Sequence, residues 1–284
     1  MPAYRAADDT SLHYDELAGP VAAGPPVVVL AGGAARHPAY LGDLAGLAGR
    51  HPLVIPHLRG VGESPAPDEP EAGSYWRQAG DLEALRRHLG QDRLLVAGHS
   101  AGTRLAVAYA VQYPAHVAAL VLITPPSTHL VDAEPDAEAI AERLRAADPA
   151  VDDAWTALLA GPAVLDDEGF NVWQRRVAPA SYAHWGPAER EHAAVGRYDL
   201  PANRAYFSVD PPADLAERLA SVTAPVLVVA GADDAMTGFA PVAALAQRFP
   251  AGRLAVVDDC GHYPWVERPT PFRAAVDAFL DDVV

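Results

Sequence analysis

Residues 94–110 read LLVAGHSAGTRLAVAYA, and this stretch decides the fold. An apolar run stops at Gly98-His99-Ser100-Ala101-Gly102, and a helical pattern follows immediately. The pattern Gly-x-Ser-x-Gly between a strand and a helix predicts a sharp, strained turn that needs small neighbours and exposes the serine hydroxyl. The amide of Ala101 would begin the helix and donate to a developing oxyanion. The alternative is a glycine-rich turn whose serine has no chemical role.

The composition argues against several classes of partner. The chain has 284 residues, and 50% of them are hydrophobic, which is enough for one large domain or for a core with an inserted cap. With 21 basic and 37 acidic residues the net charge is −16, which argues against nucleic acid or an anionic membrane as a partner. The same charge mildly disfavours anionic substrates, although the field inside a site can differ.

Cysteine content and the first residues bear on the compartment. Cys260 is the single cysteine of the sequence, so no intrachain disulfide can form, which fits a reducing compartment. Residues 1–19 lack the basic start and apolar run of a signal peptide, and no apolar run reaches the length of a membrane helix. We expect a cytoplasmic protein with a small-molecule substrate and no membrane partner, and the oligomeric state stays open.

Short apolar runs alternate with helical patterns along most of the chain. The runs are continuous, as in strands that are buried on both faces of a parallel sheet. This alternation predicts an α/β fold with a mostly parallel, doubly wound sheet. Residues 4–19 contain two short alternating pieces and predict a leading antiparallel hairpin. The apolar runs span residues 25–33, 51–60, 92–100, 117–126, 224–234 and 252–262, and the helical patterns span residues 81–90, 103–114, 238–250 and 271–284.

The alternation stops between about residues 127 and 220. This region is rich in Ala, Asp, Glu, Arg and Trp, and its patterns predict helices without an obvious buried strand. We predict that residues 127–220 form a helical cap over the carboxyl ends of the strands, where open α/β sheets bind ligands. The core then comprises residues 1–126 and 221–284.

A serine hydroxyl needs a base to activate it and a third group to orient that base. Asp233 and Asp234 follow one late apolar run, and His262 follows the last run. Enzymes with a Gly-x-Ser-x-Gly elbow have these groups in the order serine, acid, histidine, and the positions here match that order. We predict Ser100 as nucleophile and His262 as base, with either aspartate as the orienting acid. The alternatives are a solvated loop histidine and aspartates that only cap a helix.

A second oxyanion donor is expected from the loop after an early strand. In VVLAGGAARHP, at residues 28–38, Gly32 and Gly33 allow close approach of the backbone. The amide of Gly33 is the candidate donor. A simple glycine turn is the alternative.

One loop near the end of the chain contains residue types that ligate metals. The spacing of these residues is more crowded than in common metal sites, and the base role explains the histidine better. We therefore expect no metal and no cofactor. The residues are Asp258, Asp259, Cys260 and His262.

The chain resembles the α/β-hydrolase superfamily and, within it, the proline iminopeptidase (prolyl aminopeptidase) group. The resemblance covers nearly the whole chain and is strongest over residues 25–125 and 221–268. It implies the α/β-hydrolase fold and a Ser-His-Asp triad, and the Gly-x-x-Asp motif of the group selects Asp234 over Asp233. Besides the elbow, the motifs are HLRGVGES at residues 57–64, GADD at residues 231–234 and GHYPWVERP at residues 261–269.

The departures from this group concern the substrate. Ala101 stands where the group usually has tryptophan, which implies a larger pocket floor. Two cap glutamates hold the substrate's amino terminus in the group, and the nearest matches here are Gly186 and Asn203. Because a buried ammonium needs a carboxylate partner, their absence argues against strong aminopeptidase activity. Three other cap acids could replace them but are more simply explained as solvated helix charges: Glu189, Glu191 and Asp199.

We predict a serine hydrolase that cleaves an ester, lactone, thioester or amide of a small apolar substrate through an acyl-enzyme. The alternatives are a prolyl aminopeptidase with relocated acids, a non-hydrolytic cyclase or acyl transferase, and a binding protein on the same fold. The tryptophans Trp155, Trp173 and Trp185 either line the pocket mouth or pack within the cap. The residues predicted to contact the substrate are Gly32, Trp185, Tyr206 and Phe207.

Overall fold

The computed structural model describes residues 1–19, 22 and 24–283. Within these residues an eight-stranded sheet has the order β1-β2-β4-β3-β5-β6-β7-β8. The β1–β2 and β2–β4 pairs are antiparallel, and the remaining pairs are parallel, which confirms the leading hairpin and the mostly parallel sheet. The strands are β1 (Ala3–Arg5), β2 (Ser11–Leu17), β3 (Val27–Leu30), β4 (Leu53–Pro56), β5 (Leu94–His99), β6 (Val117–Ile123), β7 (Val226–Gly231) and β8 (Gly252–Val257).

Helices flank the sheet and fill the region after β6. No helix in the described part of the chain combines the length and apolar character needed to cross a bilayer. The helices are α1 (Ala79–His88), α2 (Gly102–Gln112), α3 (Ala137–Ala147), α4 (Pro149–Ala160), α5 (Asp167–Val177), α6 (Pro187–Ala193), α7 (Leu200–Tyr206), α8 (Leu215–Arg218), α9 (Ala240–Ala246), α10 (Pro264–Glu267) and α11 (Pro269–Val283).

The apolar strands bury both of their faces, as their continuous runs predict. Every residue of β3, β5 and β7 is buried. Alternate residues of one strand belong to different apolar clusters: Val28 packs with residues of α1, α2 and α9, whereas Val29 packs with residues of α11. The sheet therefore has helices on both faces and is doubly wound.

Strand β8 differs from the expectation of a fully buried run. Leu254 and Val256 are exposed, at 40% and 42% of their surface. The reason is position, because β8 is the last strand of the sheet and has a strand neighbour on one side only. An apolar run alone does not distinguish an edge strand from a central one.

Residues 127–220, all of which the structure describes, contain the helices α3 to α8 and no strand of the sheet. They lie between β6 and β7 in the sequence, and we call them the cap. The turns that follow β5, β7 and β8 carry Ser100, Asp234 and His262. Since carboxyl ends of parallel strands meet at one edge of a sheet, the fold brings these three residues to the same edge.

Candidate active site

Ser100 occupies a left-handed turn between β5 and α2. Its φ angle is +50°, which is unusual for a residue with a side chain. The turn is held from two sides: the Ser100 amide donates to the carbonyl of Ile123 at 2.9 Å, and the Thr103 hydroxyl donates to the Ser100 carbonyl at 2.6 Å. These bonds fix the strained backbone and leave the Ser100 hydroxyl free to project from the turn.

The two glycines of the Gly-x-Ser-x-Gly pattern are required by close backbone contacts. A Cβ atom on Gly102 would lie 2.4 Å from the carbonyl oxygen of Leu30 on the neighbouring strand. A Cβ atom on Gly98 would lie 2.9 Å from backbone atoms of Gly102. Both distances are far shorter than a van der Waals contact, so any side chain would push α2 away from the sheet.

His262 is oriented by a buried carboxylate. Its Nδ1 atom lies 2.8 Å from Oδ2 of Asp234, which is itself buried. Two further donors hold the carboxylate, since the Thr237 hydroxyl donates to Oδ2 at 2.5 Å and the Met236 amide donates to Oδ1 at 2.9 Å. Because a carboxylate only accepts, Nδ1 of His262 carries a proton, and in the neutral tautomer that this bond selects Nε2 is the acceptor that a general base requires.

Asp233 has a different environment from its neighbour. Its side chain forms an ion pair with Arg143 of the cap, at the protein surface. The structure therefore places Asp234, and not Asp233, against the imidazole of His262.

Two backbone amides near Ser100 are candidates for an oxyanion site. In the described chain, neither the Gly33 amide nor the Ala101 amide donates to a protein acceptor. The Gly32 amide differs, because it donates to the Tyr40 hydroxyl at 2.6 Å. Gly33 and Ala101 therefore keep free N–H groups, whereas Gly32 does not.

A buried hydrogen-bond chain links three parts of this site. Nε2 of His99 lies 3.0 Å from the carbonyl oxygen of His262, which can only accept, so Nε2 carries the proton. Nδ1 of His99 then accepts from the Tyr40 hydroxyl at 2.8 Å, and that hydroxyl accepts from Gly32. Burial, with a smaller effect of the nearby His262, holds the pKa of His99 well below its usual range, which keeps the ring neutral.

Comparison with known proteins agrees with this geometry. Residues 25–269 match the family described as the alpha/beta hydrolase fold. The chain belongs to the alpha/beta-hydrolase-fold family.

Individual relatives of this alpha/beta hydrolase are distant. A 2-hydroxy-6-oxononadienedioate/2-hydroxy-6-oxononatrienedioate hydrolase of Pseudomonas putida is 27% identical over 70% of this chain and 66% of its own length, slightly under two thirds. A proline iminopeptidase of Lactobacillus helveticus is 24% identical over 94% of both chains. Among solved structures, an esterase from a Rhodococcus species aligns with a TM-score of 0.73, 23% identity and coverage of 100% and 99% of the two chains. The Mycobacterium smegmatis proline iminopeptidase aligns with a TM-score of 0.70, 22% identity and coverage of 99% and 97%.

A cavity of about 220 Å³ opens beside the elbow of this alpha/beta hydrolase. Ser100, His262 and Gly33 line its base together, and the cap supplies most of the remaining wall. The apolar part of the lining includes Leu158, Trp173, Val177, Ala178 and Met236. The cavity therefore offers an apolar surface next to a serine, an imidazole and a free backbone amide.

The charged part of the cavity lining is cationic. Arg36, Arg175 and Arg197 contribute to the wall, and no Asp or Glu of the described chain does. Arg36 is only 4% exposed. Sequence reasoning missed all three arginines, since their contribution depends on how the cap folds over the sheet.

All four predicted substrate-contact residues lie outside this cavity lining. Trp185 packs against Tyr182, with ring centroids 5.4 Å apart. Tyr206 is buried behind the elbow and donates to the Ala101 carbonyl at 2.8 Å, and Phe207 lies in a separate surface groove. Gly32 lies beneath the elbow, where a Cβ atom would be 2.9 Å from Cβ of Ser100. Of the tryptophans predicted either to line the pocket mouth or to pack within the cap, Trp173 lines the cavity, whereas Trp155 packs against a small cluster of Ile140, Ala141 and Ala235.

Asn203 stands where the resemblance would place a substrate-binding glutamate. Its Nδ2 atom donates to the carbonyls of Ala34 at 2.7 Å and Gly33 at 3.3 Å. Ala34 and Ala35 both have positive φ angles, so the loop is held in a conformation that side chains disfavour. Asn203 therefore fixes the loop that presents the Gly33 amide, a task that a carboxylate could not perform because it has no donor.

The other acids of the cap have structural partners. Glu189 accepts from the Gly186 amide at the start of α6, and Asp199 accepts from the Ala202 amide at the start of α7. Neither residue lines the cavity, and neither does Glu191. The residues described around the cavity therefore supply no carboxylate to a substrate ammonium group.

The loop that contains His262 is clamped by a buried glutamate. Glu267 accepts hydrogen bonds from the amides of Gly261 at 3.1 Å and Tyr263 at 3.3 Å, and from the cap amide of Ala183 at 2.8 Å. Burial raises the pKa of Glu267 to about 8, against the opposing effect of these amides. No cluster of potential metal ligands occurs among the residues described. Cys260 in the same loop is buried, while Asp259 contacts His184 and Arg268 at the surface.

Proposed function

We propose that this protein is a serine hydrolase that cleaves the acyl C–O or C–N bond of a small substrate. One observation carries the proposal. Ser100 on its left-handed turn and His262, oriented by Asp234, line the same cavity. A serine that shares a cavity with an imidazole whose Nδ1 is held by a carboxylate is the arrangement that nucleophilic acyl transfer requires.

The proposed reaction has two halves. The Ser100 hydroxyl attacks the acyl carbonyl while Nε2 of His262 takes its proton, and the protonated imidazole then gives that proton to the leaving alcohol or amine. Water then attacks the acyl carbonyl while His262 takes a proton from it, and the imidazolium returns that proton to Oγ of Ser100 as the bond between Oγ and the acyl carbon breaks and the carboxylic acid leaves. The amides of Gly33 and Ala101 donate to the oxyanion in both halves. Each proton is returned, so the cycle needs no cofactor.

The cavity supports a small acyl group over a long one. A volume of about 220 Å³ accommodates a small ligand, and apolar side chains such as Leu158, Trp173 and Val177 favour an apolar segment next to the scissile bond. Esters, lactones and thioesters fit this description best, and amides are included because the same machinery cleaves them.

A prolyl aminopeptidase is the second candidate, because the relatives include proteins named as proline iminopeptidases. The cavity argues against it. A free amino terminus is cationic, and the wall of described residues has three arginines and no carboxylate to accept it. Like charges that face each other in a partly buried site repel strongly.

A fluorophosphonate probe tests the nucleophile. We expect the wild type to be labelled, with the adduct mapped by peptide mass spectrometry to Ser100, and we expect Ser100→Ala to lose the label. Ser221→Ala changes an exposed serine outside the cap and the cavity, so it serves as the control and should label like the wild type. Labelling that survives in Ser100→Ala, or an adduct on Ser181 in the cavity wall, would contradict the assignment.

A substrate panel separates the candidate functions. We expect p-nitrophenyl esters of short acids to turn over and proline p-nitroanilide to turn over slowly or not at all. Rapid cleavage of the proline anilide alone would favour the aminopeptidase. A correctly folded protein that labels at Ser100 but hydrolyses no ester or anilide would favour acyl transfer to another acceptor, and one that does not label would favour a binding role.

A further inference from the structure

We propose that the substrate of this site carries a carboxylate, remote from the scissile bond, that is bound by Arg175 and Arg197 at the cap. The proposal rests on the proposed hydrolase function and specifies its substrate class. It runs against the composition, because a chain with a net charge of −16 would favour neutral or cationic ligands on average.

The charge of the cavity is opposite to that of the chain. Acidic residues outnumber basic ones 37 to 21, and yet the charged residues in the described cavity wall are three arginines. A cavity wall with the average charge composition of the chain would contain more acidic than basic residues. This local reversal is the pattern expected where a site focuses an anionic ligand.

Arg36 contributes a charge that no protein carboxylate neutralises. Its guanidinium donates to the carbonyls of Val195 at 2.6 Å and His192 at 3.2 Å, and to the Tyr263 hydroxyl at 3.2 Å. It also lies over the Tyr40 ring, 4.2 Å from the centroid. Among the described residues it forms no ion pair. A buried cation held only by dipoles gives the adjacent cavity a positive potential, because few solvent molecules screen it.

Arg175 and Arg197 supply donors that a ligand can reach. They are 52% and 64% exposed, so they lie at the open side of the wall, and both contact the single carboxylate of Glu168. The distances from Glu168 oxygens to Arg175 and Arg197 are 3.3 and 3.1 Å. Two guanidinium groups that share one exposed acid keep a net positive charge and unused N–H groups, and guanidinium binds carboxylates in a forked geometry.

One cavity wall therefore combines three kinds of surface. It contains Ser100 and His262 at the sheet edge, apolar side chains of the cap, and the exposed arginines Arg175 and Arg197. A substrate with an apolar segment and a carboxylate remote from the scissile bond would use all three. A substrate that ends in an ammonium group would meet the same arginines unfavourably.

The test uses three p-nitrophenyl esters with equal acyl length: the adipate monoester, the hexanoate and the aminohexanoate, which end in an anion, a methyl group and a cation. We expect kcat/KM to fall in that order, with the adipate about tenfold above the hexanoate at low salt. Raising the salt from about 20 to about 500 mM should reduce the adipate advantage and leave the hexanoate unchanged. A parallel pair, acetate esters of p-hydroxybenzoate and of p-cresol, tests for a carboxylate on the alcohol side.

Three variants locate the effect. Arg175→Gln and Arg197→Gln should each lower kcat/KM for the anionic ester about fivefold and change the hexanoate less than twofold. Arg176→Gln is the matched control, since Arg176 is the next residue of α5, is exposed and does not line the cavity. Glu168→Gln removes the competing carboxylate and should raise the kcat/KM of the anionic ester, a gain that misfolding could not produce.

The outcomes separate this inference from the function on which it rests. Hexanoate hydrolysis that needs Ser100, together with no preference for an anion in either ester series, overturns the carboxylate site and leaves the hydrolase function intact. Equal losses for all esters in the arginine variants also overturn it. If no ester is hydrolysed and Ser100 is not labelled, the hydrolase function itself fails.

Discussion

The imidazole of His99 donates a hydrogen bond to the backbone carbonyl of His262, and the two residues are 163 positions apart in the sequence. His99 lies on the strand that carries Ser100, while His262 is the proposed base. The bond therefore sets the distance between the strand that leads to Ser100 and the loop that carries His262. The other ring nitrogen of His99 accepts a hydrogen bond from the Tyr40 hydroxyl. That hydroxyl in turn accepts from the Gly32 amide, next to the candidate oxyanion donor Gly33.

Replacement of Tyr40 by phenylalanine should loosen this arrangement. Tyr40→Phe leaves Nδ1 of His99 and the Gly32 amide buried without partners, which costs about 1–3 kcal/mol of stability. We expect kcat to fall roughly tenfold with little change in KM, because the donors shift relative to the reacting carbonyl. Kinetics and thermal unfolding check this. Tyr14→Phe, which removes the hydroxyl contact to His88 far from the site, should lower stability slightly and leave kcat unchanged.

The adjacent aspartates provide a matched pair for the orienting acid. Asp234→Asn presents an amide to Nδ1 of His262 and favours the wrong tautomer, so kcat should fall by about 10⁴-fold. Asp233→Asn removes only a surface ion pair with Arg143 and should keep kcat within about twofold of the wild type. Equal effects of the two substitutions on ester turnover would contradict the assignment of Asp234.

The contact between α2 and β3 predicts the result of adding one methyl group. Gly102→Ala places a Cβ atom 2.4 Å from the Leu30 carbonyl and should lower the free energy of unfolding by about 1–3 kcal/mol, with a large loss of activity. Gly80→Ala is the control. Its Cβ atom would meet nothing closer than the Tyr113 hydroxyl at 3.9 Å. Replacing a helical glycine with alanine raises the free energy of unfolding by about 0.5–1 kcal/mol. Chemical denaturation of both variants gives the comparison.

The raised pKa of Glu267 predicts how stability depends on pH. In the folded protein this pKa is about 8, against 4.5 for an unperturbed glutamate, so the native state binds the proton more tightly. The resulting stabilisation is complete below pH 4.5, declines as the pH rises toward 8 and is lost above it. Each pKa unit corresponds to roughly 1.4 kcal/mol. The glutamine in Glu267→Gln does not titrate. From pH 5 to pH 9 the unfolding free energy of the wild type should therefore fall relative to that of the variant. A constant difference would contradict the prediction.

The sequence was sufficient for the parts of this protein that depend on local patterns. Continuous apolar runs identified six strands, and the elbow requires glycines at fixed positions for steric reasons, so Ser100 could be placed between β5 and α2. His262 and the pair Asp233 and Asp234 followed from their positions after late strands, since the carboxyl ends of parallel strands share an edge, and the resemblance selected Asp234. The exposed side of β8 was not predicted, because an apolar run carries no information about whether a neighbouring strand follows.

The cavity wall depends on contacts between distant segments and could not be read in this way. Arg36 is held by carbonyls of residues 192–195 and by the Tyr263 hydroxyl, and no local pattern connects these positions. The cap residues predicted to contact the substrate pack against other aromatic rings instead. Trp185 packs against Tyr182, and Tyr206 packs against Tyr75 and Phe207. For the buried chain of Tyr40, His99 and His262, the sequence offers one signal, namely that His99 directly precedes the serine of the Gly-x-Ser-x-Gly pattern.

Asn203 also limits which part of the cap can be replaced by the cap of another hydrolase. Its amide holds the carbonyls of Gly33 and Ala34, and Arg36 from the same loop is bonded to Val195. A chimera that grafts another hydrolase's cap onto this core would lose both connections at once. Cap exchange should therefore keep residues 192–203 and α5 with the native core, because Asn171 of α5 bonds to the backbone of Tyr198. Helices α3 and α4 offer a segment for altering selectivity that has no hydrogen bond to residues 192–203 among the described residues.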